Sequence, residues 1–200
     1  MTMFGHEVLT CGGHGWYNGT TLSVCELYTP ETDTWNTFAS LPVATYSLAM
    51  ITLRFGDRVQ PIVFGGYNGM QNVRTVYTFD NTAWHERAHM PVPLIHHRAV
   101  QLDNTTAIVC GGWQNDHIAL SDCHLYNATT DEWLWTAPMN TERYGHGMLV
   151  YLSWSLRPNC MWHTFDCRPR MGVRWKGYME KADIVSRVAW SRRCRRMAHP

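Results

Sequence analysis

Residues 106–139 read TAIVCGGWQNDHIALSDCHLYNATTDEWLWTAPM. A short apolar run, Ala107–Cys110, ends in the doublet Gly111-Gly112; Tyr126 follows, Trp133 stands seven residues after it, and Met139 six after that. The same markers occur twice more upstream. Trp35 and Trp84 precede Trp133 at intervals of 49 and 49 residues, with Tyr28 and Tyr77 seven before them and Leu41 and Met90 six after. Gly12-Gly13 and Gly65-Gly66 end the apolar runs Val8–Cys11 and Pro61–Phe64, at doublet spacings of 53 and 46, so length varies around the glycines as surface loops permit. A period of this kind is the mark of a repeat architecture.

Each period holds four strand-like pieces. In the third, His96–Leu102 and Thr106–Cys110 are runs suited to buried strands, joined by the turn Asp103-Asn104-Thr105. Ser121–Tyr126, the turn Asn127–Asp131 and Glu132–Ala137 around Trp133 complete a meander. His146–Leu152 repeats His96–Leu102 and reads as a further inner strand. No helical period intervenes, so each unit predicts a four-stranded antiparallel sheet. A glycine doublet at a strand end permits positive φ and lets a neighbouring sheet approach where a Cβ would clash. The recurrent Trp and Tyr supply flat apolar groups with which one sheet can cover the next.

Gly-Gly, then Tyr, six residues, Trp, and a Met or Leu six beyond resembles the kelch repeat, a propeller blade of about 50 residues. The resemblance runs from Glu7 to Leu152. It departs in two places. The family pattern has an Arg four residues after the Met; Arg143 fits, whereas Thr45 and Leu94 stand at the other two positions. The second repeat reads Tyr77-Thr78-Phe79-Asp80, so either Tyr77 or Phe79 serves as its aromatic, both facing one side of the strand. The resemblance implies an all-β fold: an incomplete kelch β-propeller of about three four-stranded antiparallel blades, with repeat units around 7–41, 46–90 and 95–139, an inner strand at 144–152 and a non-propeller tail at 153–200. The chain reads as opening on the second strand of a blade, Val8–Cys11, with no innermost strand ahead of it and no fourth doublet near Cys160. Propellers close with 4–8 blades, so a fragment of a longer protein with marginal monomer stability is expected.

The chain is 45% hydrophobic and 16% charged, which excludes disorder and collagen. No run of 18 apolar residues and no basic start with an apolar core is present, so neither a spanning helix nor a signal peptide is read. The net charge of +1 hides an asymmetry: residues 1–151 carry 6 basic and 13 acidic groups, and residues 152–200 carry 11 and 3. The tail reads as a segment without selected structure. An alternative is a basic amphipathic helix over 177–197 ending in Arg192, Arg193, Arg195 and Arg196, which would meet nucleic acid or an acidic membrane.

Signatures of phosphate cradles, zinc proteases and serine hydrolases are missing, and no enzyme, metal or cofactor is expected. His96-His97 are adjacent and face opposite ways in a strand; His146 repeats the position of His97, which favours a structural or inner-channel role for both. Cys160, His163 and Cys167 would hold only one side of a zinc site. Cys11 and Cys110 precede doublets, and Cys25 and Cys123 lie three before the repeat Tyr, which argues for packing. Cross-strand disulfides Cys11–Cys25 or Cys110–Cys123 are compatible with a secreted chain, as are sequons at Asn18, Asn104 and Asn127. Without a signal peptide, a cytoplasmic location is preferred.

Function is therefore expected in loops at one propeller mouth. The resemblance places there the residues just after each doublet and each Met: His14, Trp16, Tyr17, Asn18, Tyr67, Asn68, Trp113 and Gln114, with Tyr46, His96, Arg143 and Tyr144. Aromatic and Arg side chains on a rigid frame favour protein binding. By resemblance the partner is a peptide or loop of another protein, as when kelch modules recruit substrates to cullin-type ubiquitin ligases. Actin binding and a galactose-oxidase-type propeller enzyme are the alternatives. A small-molecule substrate is not expected, and exposed end blades are expected to self-associate.

Overall fold

A computed structural model of the chain describes residues 1–15, 19–114 and 118–151. Among them every regular element is a β-strand, and all twelve lie in one compact unit, Met1–Val150. The first sheet holds β1 (Thr2–Phe4), β2 (Glu7–Cys11), β3 (Cys25–Thr29) and β4 (Thr34–Phe38). The second holds β5 (Ala49–Phe55), β6 (Arg58–Tyr67), β7 (Asn72–Phe79) and β8 (Trp84–Arg87). The third holds β9 (Arg98–Gln101), β10 (Thr106–Cys110), β11 (Cys123–Asn127) and β12 (Glu132–Thr136). Each is a four-stranded antiparallel meander in chain order, the blade architecture expected from the repeat.

Three readings change. The first blade does have an innermost strand: β1 pairs Thr2 with Leu9 and Phe4 with Glu7 across a turn at Gly5, φ 67°. Its three residues are too few to show a periodic pattern, which is why the sequence conceals it. No strand forms over residues 144–151, where one was read, because a strand needs a hydrogen-bonding neighbour and no described strand lies beside it. Leu152 and the tail, with the reading of a helix at 177–197 and the trio Cys160, His163 and Cys167, lie outside the described residues.

The third change settles the aromatic of the second blade. Tyr28 lies opposite Trp35 and Val8, and Tyr126 opposite Trp133 and Ala107. In the second blade Trp84 lies opposite Phe79, while Tyr77 is opposite Glu86. Phe79 is thus the counterpart of Tyr28 and Tyr126. The outer hairpin is shorter there because Asp80 closes it: its Oδ1 accepts from Thr82 Oγ1 and from the N–H groups of Thr82 and Ala83, which holds the carboxyl well below its usual range. In the other two blades the Tyr hydroxyl donates to an Asp at positive φ, Tyr28 to Asp33 at 2.9 Å and Tyr126 to Asp131 at 2.8 Å. Burial pushes the Tyr126 hydroxyl up to about 12.

The core lies between blades. Leu9, Leu41, Met50 and Val63 fill the first contact; Ile62, Phe64, Val76, Leu94, Val109 and Tyr126 fill the second. Phe64 is fully buried with its ring edge-on to Tyr126 and Trp133. Full burial of such a side chain is worth about 2–3 kcal/mol. The indoles also cross between blades: Trp84 Nε1 donates to Ala39 O at 2.9 Å, and Trp133 Nε1 to Ala88 O at 2.8 Å. Just ahead of the doublets, Cys11 faces Cys25 and Cys110 faces Cys123, and both pairs are bonded as disulfides. The second blade has Phe64 opposite Val76 at that place and closes it by packing alone.

Candidate functional site

The doublets fix the segments that enter the blades. Gly13, Gly66 and Gly112 donate their N–H groups to Thr45, Leu94 and Arg143, the residues four beyond each Leu or Met, at 3.0, 2.8 and 2.9 Å. These bonds tie each blade to the segment that enters the next. A Cβ on Gly66 would come within 2.4 Å of Thr45 and 2.7 Å of the Tyr46 carbonyl, so only glycine leaves room for the segment that enters its own blade. Two residues further along, Ser47, His96 and Gly145 all have positive φ, at 55°, 55° and 59°. His96 N–H donates to Ser47 O and Gly145 N–H to His96 O, so one backbone chain runs across three entering segments. A positive φ is costly for histidine and aims its imidazole where a regular strand would not.

Rings gather on this frame in two groups. His14 meets Tyr46, and Tyr46 meets Tyr67, at centroid distances of 5.2 and 5.3 Å. His96 stands edge-on to Trp113 at 5.4 Å, and Trp113 lies 4.1 Å from Tyr144. Bridges Tyr46–Tyr67 and Ile95–Trp113 hold the entering segments against the residues after each doublet. Between the groups opens a pocket of about 550 Å³ lined by Tyr46, Tyr67, Met70, Gln71, Asn72, Ile95, His96, Trp113 and Gln114. None of these residues carries a carboxylate, ammonium or guanidinium group.

Of the twelve residues read as mouth-lining, Tyr46, Tyr67, His96, Trp113 and Gln114 line this pocket, and His14 and Tyr144 stand behind it as ring contacts. Asn68 holds its own loop instead, its Oδ1 accepting from the N–H groups of Met70 and Gln71 at 3.0 and 2.9 Å. Arg143 serves through its backbone carbonyl, and its Nε donates to Thr141 O. Trp16, Tyr17 and Asn18 lie outside the described residues. Sequence reading missed Met70, Gln71, Asn72 and Ile95. Ile95 occupies the repeat position of Tyr46 and Tyr144, five after the Met, a signal available in the spacing; Met70 and Gln71 belong to a loop whose length is not repeated.

Burial and then the nearby Arg98 lower the pKa of His96, so its ring is neutral at pH 7 and offers a hydrogen-bonding nitrogen. His97 is buried, its Nε2 3.1 Å from Phe64 O, and occupies space that the missing Cβ of Gly65 leaves. His146 repeats this over Gly111. Among the described residues no three His, Cys, Asp or Glu side chains are grouped to hold a metal, and no helix is long and apolar enough to cross a membrane.

Comparison with known proteins places these observations. A family model described as Kelch motif matches residues 1–42. Adagio-like protein 1 of Oryza sativa subsp. japonica is 35% identical over 103 residues, which is 45% of this chain and 16% of the rice protein. The chain therefore spans about a sixth of the length of that relative.

Proposed function

This chain is a kelch-repeat protein, and from that premise we propose that it holds a peptide or loop of another protein in the mouth pocket. Kelch repeats build interaction modules, so its general class is protein binding. The observation that carries the finer reading is the pocket itself: uncharged, walled by Tyr46, Tyr67, Ile95 and Trp113, and bordered by the amides Gln71 and Gln114. Such a lining suits an uncharged side chain with an apolar body, flanked by backbone that the amides can bond. The rings sit on bridged, glycine-latched segments, so little ordering cost accompanies binding.

The test is selection of ligands from a random-peptide display library, followed by calorimetry with variants. Tyr67→Ala and Trp113→Ala should each weaken selected peptides by about 1–2 kcal/mol, roughly five- to thirtyfold. Val59→Ala, on an exposed edge away from the mouth, should leave affinity unchanged. Peptides that bind all three variants equally would overturn the mouth assignment.

Within that class, substrate recognition for a cullin-type ubiquitin ligase stands ahead of actin binding, since a concave pocket takes a loop whereas a filament side asks for a broad face. Actin cosedimentation discriminates between them. A copper-radical oxidase has the least support: its chemistry needs a free thiol beside a tyrosine, and the four described cysteines are bonded in pairs. As to compartment, the cytoplasmic reading from the sequence stands beside a secreted one, and the two disulfides favour the second.

A further inference from the structure

The β9–β10 hairpin of the third blade carries a motif that the mouth does not use. Asn104-Thr105-Thr106 is a sequon, and its Asn stands at the apex of the turn between the two strands. Asp103 makes that turn: its Oδ1 accepts from the N–H groups of Thr105 and Thr106 at 2.9 and 2.8 Å. Asn104 is exposed, and among the described residues its side-chain amide makes no hydrogen bond. The backbone beneath it is fixed. Asn104 O accepts from Arg54 N–H at 2.7 Å, and Thr105 O accepts from Ala128 N–H at 2.8 Å. The amide is thus presented to solvent on a rigid stem, with no bond to break when it is modified.

The sequon at Asn127 is set differently. Asn127 ends β11, half-buried between β10 and β12, and its Oδ1 already accepts from the N–H groups of Thr129 and Thr130 at 2.8 and 3.4 Å. Asn18, the third, lies outside the described residues. Asn104 is also remote from the mouth. His96 precedes β9 and Trp113 follows β10, so the pocket lies at one end of the hairpin and Asn104 at the other, about 17 Å of β10 apart. A second, independent observation concerns the compartment: the Cys11–Cys25 and Cys110–Cys123 bonds belong where thiols are oxidised, which is where sequons meet their transferase.

We propose that Asn104 carries an N-linked oligosaccharide. Its Nδ2 attacks the anomeric carbon of an oligosaccharide held on a polyisoprenyl diphosphate. A C–N bond forms, the C–O bond to the diphosphate breaks, the amide proton passes to a base of the transferase, and the lipid diphosphate leaves; nothing is oxidised or reduced. The sugar then stands over the junction where Arg54 of the second blade meets Asn104 of the third, at the end of the hairpin away from the pocket. A bulky hydrated group there keeps other proteins off that end and leaves the pocket end open to a partner. This rests on the secreted reading of the two disulfides.

Treatment of the full chain from its native source with peptide N-glycosidase in heavy-oxygen water tests this, against a digest without the enzyme. The enzyme leaves a glycosylated Asn as Asp with one heavy oxygen, and fragment-ion spectra of the tryptic peptide after Arg98 separate Asn104 from Asn127. Label at Asn104 is expected. Thr106→Val keeps Asn104 and the shape of β10 but removes the hydroxyl the sequon requires, so the label should be lost, and Thr106→Ser should retain it. No label at Asn104, label confined to Asn127 or Asn18, or label that survives Thr106→Val would each overturn the proposal. The thiols of the same sample separate this proposal from the secreted reading. Bonded cysteines with an unmodified Asn104 refute the glycan alone, and free cysteines with an unmodified Asn104 refute both.

Discussion

At the scale of single residues, the doublet glycines show how little space decides the fold. Gly111 has φ +66°, and a Cβ there would stand 2.5 Å from the Arg143 carbonyl and 2.9 Å from His146 Cε1. The same carbonyl accepts the Gly112 N–H, so it cannot retreat without breaking the bond that ties the blade to the entering segment. Gly111→Ala therefore combines left-handed strain with a backbone clash and should cost about 2–4 kcal/mol of stability. Urea denaturation measures it; a loss under about 0.5 kcal/mol would show that the doublet is dispensable. The doublets were legible in the sequence because their constraint is local in kind. What each missing Cβ admits, a carbonyl beside one and an imidazole beside another, was not legible.

At the scale of elements, hairpin register separates near-equivalent residues. Tyr77 keeps the 49-residue period, yet Phe79 takes the structural place of Tyr28 and Tyr126, because Asp80 tightens the outer turn and the strand pairs shift with it. The disulfides belong to this scale too, since each joins directly opposed residues of adjacent strands, at sequence separations of 14 and 13. Closing loops of this length is worth about 2–4 kcal/mol per bond. Reduction should accordingly lower the denaturation midpoint, and within Met1–Val150 the intact mass before reduction should fall short of that after it by four hydrogens. Equal masses from the native source would mean that the thiols stay free there.

At the scale of the whole molecule, stability should depend on pH through histidines that packing shields from water, His97 above all. Burial first of all lowers the pKa of His97 from 6.5 to about 3, and burial also lowers those of His124 and His146. Below about pH 6.5 the unfolded chain binds a proton that the folded chain refuses. Stability contributed by neutral His97 is thus fully present above pH 6.5 and is lost on acidification toward pH 3, at about 1.4 kcal/mol per pH unit for one proton. Urea midpoints measured from pH 7.5 down to about 5, above the ordinary carboxylate range, should fall more steeply for the parent chain than for His97→Gln. Parallel slopes would show that His97 is not held neutral between the blades.

The amino-acid order alone determined the period of the unit, the number of full repeats and most strand positions, including Thr106–Cys110 and the outer strand around Trp133, because alternation, glycine conformation and turn chemistry act over a few residues. It also named five of the nine pocket residues, since the positions after each doublet and each Met recur. Only the tertiary structure brought Ile95 and the Met70–Gln71 loop to Trp113, chose Phe79 over Tyr77 and seated Ala88 between Asp131 and Trp133. Those outcomes depend on strand register and on contacts between residues some forty to fifty positions apart, such as Trp133 with Ala88, and no local pattern encodes such distances.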